Sequence, residues 1–249
     1  MCFQQGRFAE SQELCEQALR WASMCSDHEL RATILNTLAA IKSTTGDLKA
    51  ALNTFRLCLA DFQASGNVIR QGYVLLNIGL TEMELGECDA ATKDLNESLA
   101  VALSEKDLQL VEICYQNISK CYLAQKEVVL AQSVIETARK ILPGLNSEAL
   151  ETELSLLEGR ILRASGNFEA ARVSLEETLK RASEGELSAL HADTLYEQGL
   201  LYRDLGKSRQ AVAKIRIAAE TYKHLGMDNG FREAIGALKQ LEAQAAAGR

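Results

Sequence analysis

The sequence predicts an all-α chain, a solenoid of antiparallel helix pairs, and three observations carry that prediction. A small residue recurs every 40 residues, at Ser11, Ala51, Ala91, Ala131, Ala171 and Ala211. Five places before each stands a turn, Gly6, Gly46, Gly86, Gly166 and Gly206, with Lys126 as the departure. A second small-residue track, Ala39, Gly79, Ser119, Gly159 and Gly199, runs seven places ahead of the turns. Two such tracks locked to one period mean two helices per repeat, crossing closely where the side chains are small. One proline, 5% aromatic residues and abundant Ala, Leu, Glu and Gln favour helix throughout and leave no linker. The expected organisation is a single array over 1–249.

The elements follow in order. A half repeat, 1–26, opens with MCFQQG, which aligns with LYRDLG at 201–206 and reads as the end of a first helix whose body is absent. Its second helix, with Phe8, Ser11, Leu14, Cys15 and Ala18, then presents an apolar face of the kind that marks an interface or a truncation. The expectation is that the polypeptide continues upstream of Met1, or that two copies self-associate through this half repeat. Repeat 27–66 carries Leu35, Leu38, Ala39 and Lys42 on its first helix and Ala51 and Phe55 on its second. In 67–105, Leu75, Ile78, Gly79 and Glu82 keep helical spacing up to the turn at Leu85 and Gly86, and Ala91, Leu95 and Ser98 resume it. Gly86 ends the first helix because it takes positive φ without a Cβ clash. Repeat 106–145 places Tyr115, Ile118, Ser119 and Tyr122 before Ala131 and Ile135. Repeat 146–185 places Ser155, Glu158, Gly159 and Leu162 before Ala171 and Leu175, and 186–226 places Leu195, Gln198, Gly199 and Tyr202 before Ala211 and Ile215. Last, Phe231, Ala234, Ile235, Leu238 and Leu241 make an amphipathic helix over 228–246, read as a cap out of register with the repeats, with AAAGR as a frayed end.

As a set these positions resemble the tetratricopeptide repeat family, whose pattern is W-x2-L-G-x2-Y, then A-x3-F, then P. The tryptophan and closing proline are missing, and the period is 40 rather than 34. The spacing from Gly199 to Ala211 keeps the family's twelve, so the extra residues fall after each second helix and lengthen both helices to roughly 16–18 residues, about 25 Å. The resemblance implies a right-handed superhelix whose first helices line a concave groove. Long-helix repeats of this kind look like the sensor or scaffold portions of multidomain signalling proteins.

Composition narrows the partners. A formal net charge of -7 argues against nucleic acid, which needs a basic surface. No apolar run reaches the ~20 residues of a membrane span, and the opening residues lack a signal-peptide layout, so a cytoplasmic protein without membrane insertion is expected. The seven cysteines, Cys2, Cys15, Cys25, Cys58, Cys88, Cys114 and Cys121, show no metal-binding spacing. Cys15 takes the slot of Phe55, Cys58 that of Ala18, Cys88 that of Leu48 and Phe168, and Cys121 that of Ile41 and Ile161, so they read as small core residues in a reducing compartment. His28, His191 and His224 lie far apart, and no nucleophile, phosphate-loop or metal motif is present. No enzyme, cofactor or metal is expected.

The groove the resemblance implies directs attention to the face opposite the small-residue track. One position there carries Asn77 and Asn117, carboxamides able to hold a peptide backbone whatever its sequence. Lys120 and Arg160 share a second position and Arg163 and Arg203 a third, making a basic row whose complement is an acidic peptide. Tyr73, Gln116 and Tyr196 complete the candidate set. Two structural readings stand beside the binding one: Glu158, Glu197 and Asp204 neutralise the row as ion pairs, and the asparagines hydrogen-bond between adjacent repeats. A chaperone-tail clamp is disfavoured because the flanking cations do not fall into place. The expected function is a non-enzymatic scaffold that takes a protein or peptide in its groove. The alternative is a sensor or regulatory module of a larger signalling protein or transcription regulator.

Overall fold

The computed structural model describes residues 8–141 and 148–247. The expected turn at Gly6, the MCFQQG segment and Cys2 lie outside the described residues, as does the last part of the AAAGR end. Among the described residues there are twelve helices and no strand: α1 (Phe8–Met24), α2 (His28–Thr44), α3 (Leu48–Ser65), α4 (Val68–Glu84), α5 (Cys88–Glu105), α6 (Leu108–Ala124), α7 (Val128–Ile141), α8 (Glu148–Ala164), α9 (Phe168–Glu184), α10 (Ser188–Asp204), α11 (Ser208–His224) and α12 (Asp228–Ala247). First helices start at 28, 68, 108, 148, 188 and 228, and second helices at 8, 48, 88, 128, 168 and 208, so both series keep the 40-residue period. The chain is an all-α solenoid of consecutive helix pairs. Its helices fall into two compact units, Met1–Glu127 with α1–α6 and Val128–Arg249 with α7–α12.

Among the described residues, the connections from α2–α3 onward close in the same way. The residue three places past the last full turn donates its amide back five residues, as in Asp47 to Lys42, Asn67 to Phe62, Glu87 to Glu82 and Lys207 to Tyr202, all at 2.8–3.1 Å. This bond needs a left-handed residue just before it. Gly46, Gly86, Gly166 and Gly206 supply one after first helices, and Lys126, the odd residue of that series, adopts φ 64° like the glycines. The matching turns after second helices use Ser26, Gly66, Lys106, Glu186 and Gly226. Several of the helices that follow are capped by a carboxylate or carboxamide: Asp27, Asp47, Asn67, Asp107 and Asn167 each accept from the amide three residues on.

Within the first unit, Ala39, Ala51, Phe55, Cys58, Phe62 and Ile78 join one buried cluster across α2, α3 and α4. Gly79 lies so close to α5 that a Cβ there would stand 2.7 Å from Leu95. The second unit repeats the crossing, with the corresponding distances 2.5 Å from Gly159 to Leu175 and 2.4 Å from Gly199 to Ile215. The small-residue tracks are therefore contact points between paired helices, as the periodicity requires.

The last helix corrects the sequence reading. α12 starts at 228, in step with every first helix, instead of standing out of register. What hid this is Lys239, an exposed lysine in the slot of Gly159 and Gly199, which removes the marker of the track and bars a second helix from the same close crossing. α12 packs Ala234, Ala237 and Leu241 against the buried Tyr222, Ala218 and Ala219 of α11. At the other end α1 packs on α2 and leaves Leu14, Trp21 and Met24 half or more exposed beside an open cleft of about 340 Å³ lined by Ser11, Cys15, Ala18 and, on α2, Thr33, Ile34 and Thr37. Cys58, Cys114 and Cys121 are core residues as expected, Cys15 and Cys88 are half-buried, and Cys25 is exposed, against the core reading of the set.

Candidate functional site

First helices stack side by side within each unit, α4 on α6 and α8 on α10, and the candidate residues sit on these helices. In the first unit, Tyr73 and Asn77 come from α4 and Gln116, Asn117 and Lys120 from α6. Tyr73 donates its hydroxyl to Asp107 Oδ2 at 2.8 Å, while Asp107 Oδ1 caps α6 at the Leu110 amide, 3.0 Å away. That hydrogen bond, and burial behind it, raise the phenol above its ordinary pKa. Asn77 donates to Asn36 Oδ1 on α2 at 3.3 Å, the bond between adjacent repeats that the structural reading anticipates. Asn117 donates to its own helix at the Ile113 carbonyl, 2.7 Å, and Gln116 to Glu112 Oε1 at 2.9 Å. Both are buried, 6% and 7% exposed, whereas Asn77, Tyr73 and Lys120 reach the surface in part.

In the second unit, α8 and α10 bring Arg160, Arg163, Tyr196 and Arg203 together around two carboxylates. Glu197, buried in the position that carries Asn77 and Asn117 elsewhere, lies 2.9 Å from Arg160 Nε and 3.2 Å from Arg163 Nε. The Arg160 contact is close enough for charge pairing but off-line for a hydrogen bond. Arg163 also reaches Asp204 Oδ2 at 2.7 Å, and Arg203 holds Asp204 Oδ1 at 2.9 and 3.0 Å. Burial works to lower the Arg163 pKa, but Glu197 and Asp204 outweigh it and hold the guanidinium more firmly charged than usual. Tyr196, next to Glu197, stacks edge-on against Tyr222 with ring centres 6.5 Å apart, and burial raises its pKa. Glu158, the third neutraliser anticipated, is taken by Arg139 at 2.6 Å. Glu197 and Asp204 pair with the arginines as the structural reading foresaw, and three guanidiniums against two carboxylates leave one positive charge over.

Two further charged groups escaped the sequence. Asp61 on α3, almost fully buried, takes both Arg31, with Nε at 2.6 Å, and His28, with Nδ1 at 3.0 Å. Burial alone would raise its pKa, but the hydrogen bonds and charges of Arg31 and His28 bring it below the usual carboxylate range. Glu82 on α4, with no exposed surface, meets Arg56 at 3.1 Å and shares a hydrogen bond with Asp94 on α5. Burial first, and Asp94 second, push its pKa up to about 7. The partners lie 12–33 residues apart, and the only signal was a polar residue in a core slot. Another open cleft, of about 430 Å³, lies between α7 and α8 and is lined by Val128, Val129, Gln132, Ser133, Glu136, Ile161, Leu162 and Ser165.

Among known proteins, the family profile described as tetratricopeptide repeat matches residues 1–64. No curated protein matches the chain in sequence. Several solved structures share the fold. The apo form of RapI superposes with a TM-score of 0.74 at 15% identity, covering 97% of this chain and 95% of that one. BtubC from P. vanneervenii gives 0.68 at 17% identity, covering 89% and 92%. A Rap protein complexed with Competence and Sporulation Factor gives 0.65 at 15%, covering 100% and 73%. Identities this low speak to fold alone. With paired helices on a 40-residue period, small-residue crossings and a profile match over its first 64 residues, the chain is similar to tetratricopeptide repeat proteins and shares their fold.

Proposed function

We propose that this chain is a non-enzymatic interaction module that binds a peptide segment of a partner protein, of acidic character, along the exposed face of its stacked first helices. The observation that carries this reading is the arginine cluster of α8 and α10. Its guanidiniums exceed their internal carboxylates by one, and all three remain partly open, with side-chain exposures of 26%, 19% and 32% for Arg160, Arg163 and Arg203. An incoming carboxylate would meet donors already oriented by Glu197 and Asp204, with Tyr196 beside them as an apolar wall. The first unit, taken by itself, has Asn77, Tyr73 and Lys120 on α4 and α6 as separate polar edges able to hold a peptide backbone, while Asn117 and Gln116 act by holding that helix face in shape. The regulatory alternative draws support from the Rap protein, which holds Competence and Sporulation Factor on the same fold. In that reading the bound segment is a signal.

Charge reversal at Arg160 and Arg163 is a poor test, because it would strand the buried Glu197 among like charges. Arg203 contacts Asp204 alone, so Arg203→Gln removes the surplus charge and leaves Glu197 satisfied. On an array of random nonapeptides, the wild type is expected to enrich acidic sequences, and Arg203→Gln to lose about fivefold in capture with an unchanged urea midpoint. Equal capture by both proteins, or no acidic preference, would refute the reading.

A further inference from the structure

Cys88 is the first residue of α5 and is half-buried, whereas Cys121, in the last turn of α6, is fully buried. The start of α5 lies against the end of α6, as the 2.6 Å hydrogen bond from Gln125 Nε2 to Asp89 Oδ1 shows. Thr92 Oγ1 donates to the Cys88 carbonyl at 2.8 Å, and Cys88 and Thr92 are both near enough to Cys121 to act on its thiol. The juxtaposition belongs to the repeat and not to sulfur. One period earlier the same two slots hold Leu48 and Thr81. In the second unit they hold Phe168 and Leu201, where Phe168 packs against the core cluster containing Leu201. At one place in the series, the slot pair that Phe168 and Leu201 fill with core packing is occupied by two cysteines. The neighbouring Cys114 is engaged elsewhere, on Ser98 Oγ at 3.2 Å.

We infer that Cys88 and Cys121 form a reversible intrachain disulfide that ties the second helix of one repeat to the first helix of the next. Their burial assigns the order of events. Cys88, with an edge open to solvent, meets the oxidant, taken here as hydrogen peroxide. Its thiolate attacks one peroxide oxygen, the O–O bond breaks, and the departing hydroxide takes a proton to leave as water, giving a sulfenic acid. Cys121, whose pKa burial pushes up to about 11, stays a thiol through the first step. It then attacks the Cys88 sulfur, and its proton leaves with the sulfenic hydroxyl as a second water. Two thiols lose two electrons, one peroxide gains them, and an excess of an external thiol reverses the bond by exchange. Neither cysteine requires a third protein group, and the packing of the start of α5 on the end of α6 keeps the two residues neighbours before oxidation.

The test uses the whole chain. After one equivalent of hydrogen peroxide and alkylation of remaining thiols, tryptic digestion separates the cysteines cleanly, with Cys88 in peptide 71–93, Cys114 in 107–120 and Cys121 in 121–126. The expected product is peptide 71–93 joined to 121–126, two mass units below the sum of the pair and released by dithiothreitol. Cys121→Ser should arrest the reaction at a dimedone-reactive Cys88, and Cys88→Ser should leave Cys121 alkylated as in the untreated protein. Full alkylation of both cysteines in oxidised wild type, or a cross-link from Cys88 to another thiol or a second copy, would overturn the assignment.

Discussion

A methyl group is enough to probe the crossing of α10 on α11. At Gly199 a Cβ would fall 2.4 Å from Cγ1 of Ile215, a side chain with no exposed surface and no space to retreat into. Gly199→Ala should therefore cost about 1–3 kcal/mol, while Gly236→Ala, with nothing within 4 Å in α12, should be neutral or stabilise by about 0.5–1 kcal/mol. Urea midpoints of the two variants, read against wild type, decide the matter, and equal effects would refute close packing at 199. Glu82 gives a prediction with a sign. Its folded pKa of about 7 lies above the ordinary value of 4.5, so the folded protein holds this proton more tightly than the unfolded chain. The stability it contributes is complete below pH 4.5 and is lost as pH rises through 7. Glu82→Gln keeps a donor toward Asp94 and removes the titration, so its urea stability relative to wild type should improve by about 1–2 kcal/mol between pH 5 and pH 8. A pH-independent difference would exclude the shift. The small residues at 79, 159 and 199 were legible because shape repeats with the period. The partners of Glu82, Asp61 and Arg163 were not, because a long charged side chain can reach any of several helices and the sequence does not say which.

Helix starts show the same contrast one level up. The glycines after first helices announce their turns, but the turns after second helices go unmarked wherever Ser26, Lys106 or Glu186 takes the left-handed conformation. Lys106 and Glu186 accept a strained φ because the amide that follows them, of Asp107 and Leu187, closes the preceding helix. α12 was placed correctly but read as out of register for a related reason, since Lys239 erased the marker of the track. Capping is uneven as well. Lys207 precedes α11 at φ -90° and ψ 62°, close to the conformation of Asn167 before α9, yet it makes no side-chain cap bond. An aspartate there would accept from the amide of Gln210 and place a negative charge at the helix start. Lys207→Asp should stabilise by about 0.5–1 kcal/mol, read as a higher thermal midpoint, and a lower one would show that the lysine has a role α11 does not reveal.

Solenoids distribute stability by neighbour, and the first unit shows the consequence. α4 packs against α3, α5 and α6, while α1 rests on α2 and keeps Trp21 and Met24 at 69% and 76% exposure. Amides of α1 should exchange with deuterium at least about tenfold faster than those of α4, and uniform protection across α1–α6 would mean that the unit opens as one body. At this scale the period was the most legible property of all, while the identity of a bound segment was the least, because the crossings constrain one face of each first helix and leave the other free to vary. The recurrence of every helix start at 40 residues carries a further consequence for how such a chain changes length. One residue added inside a helix rotates everything beyond it by about 100°, carrying glycine away from the crossing and isoleucine into it, whereas a whole added period returns each side chain to its place. Lineages of this chain should therefore differ by duplicated or deleted 40-residue blocks, with single insertions confined to the turns.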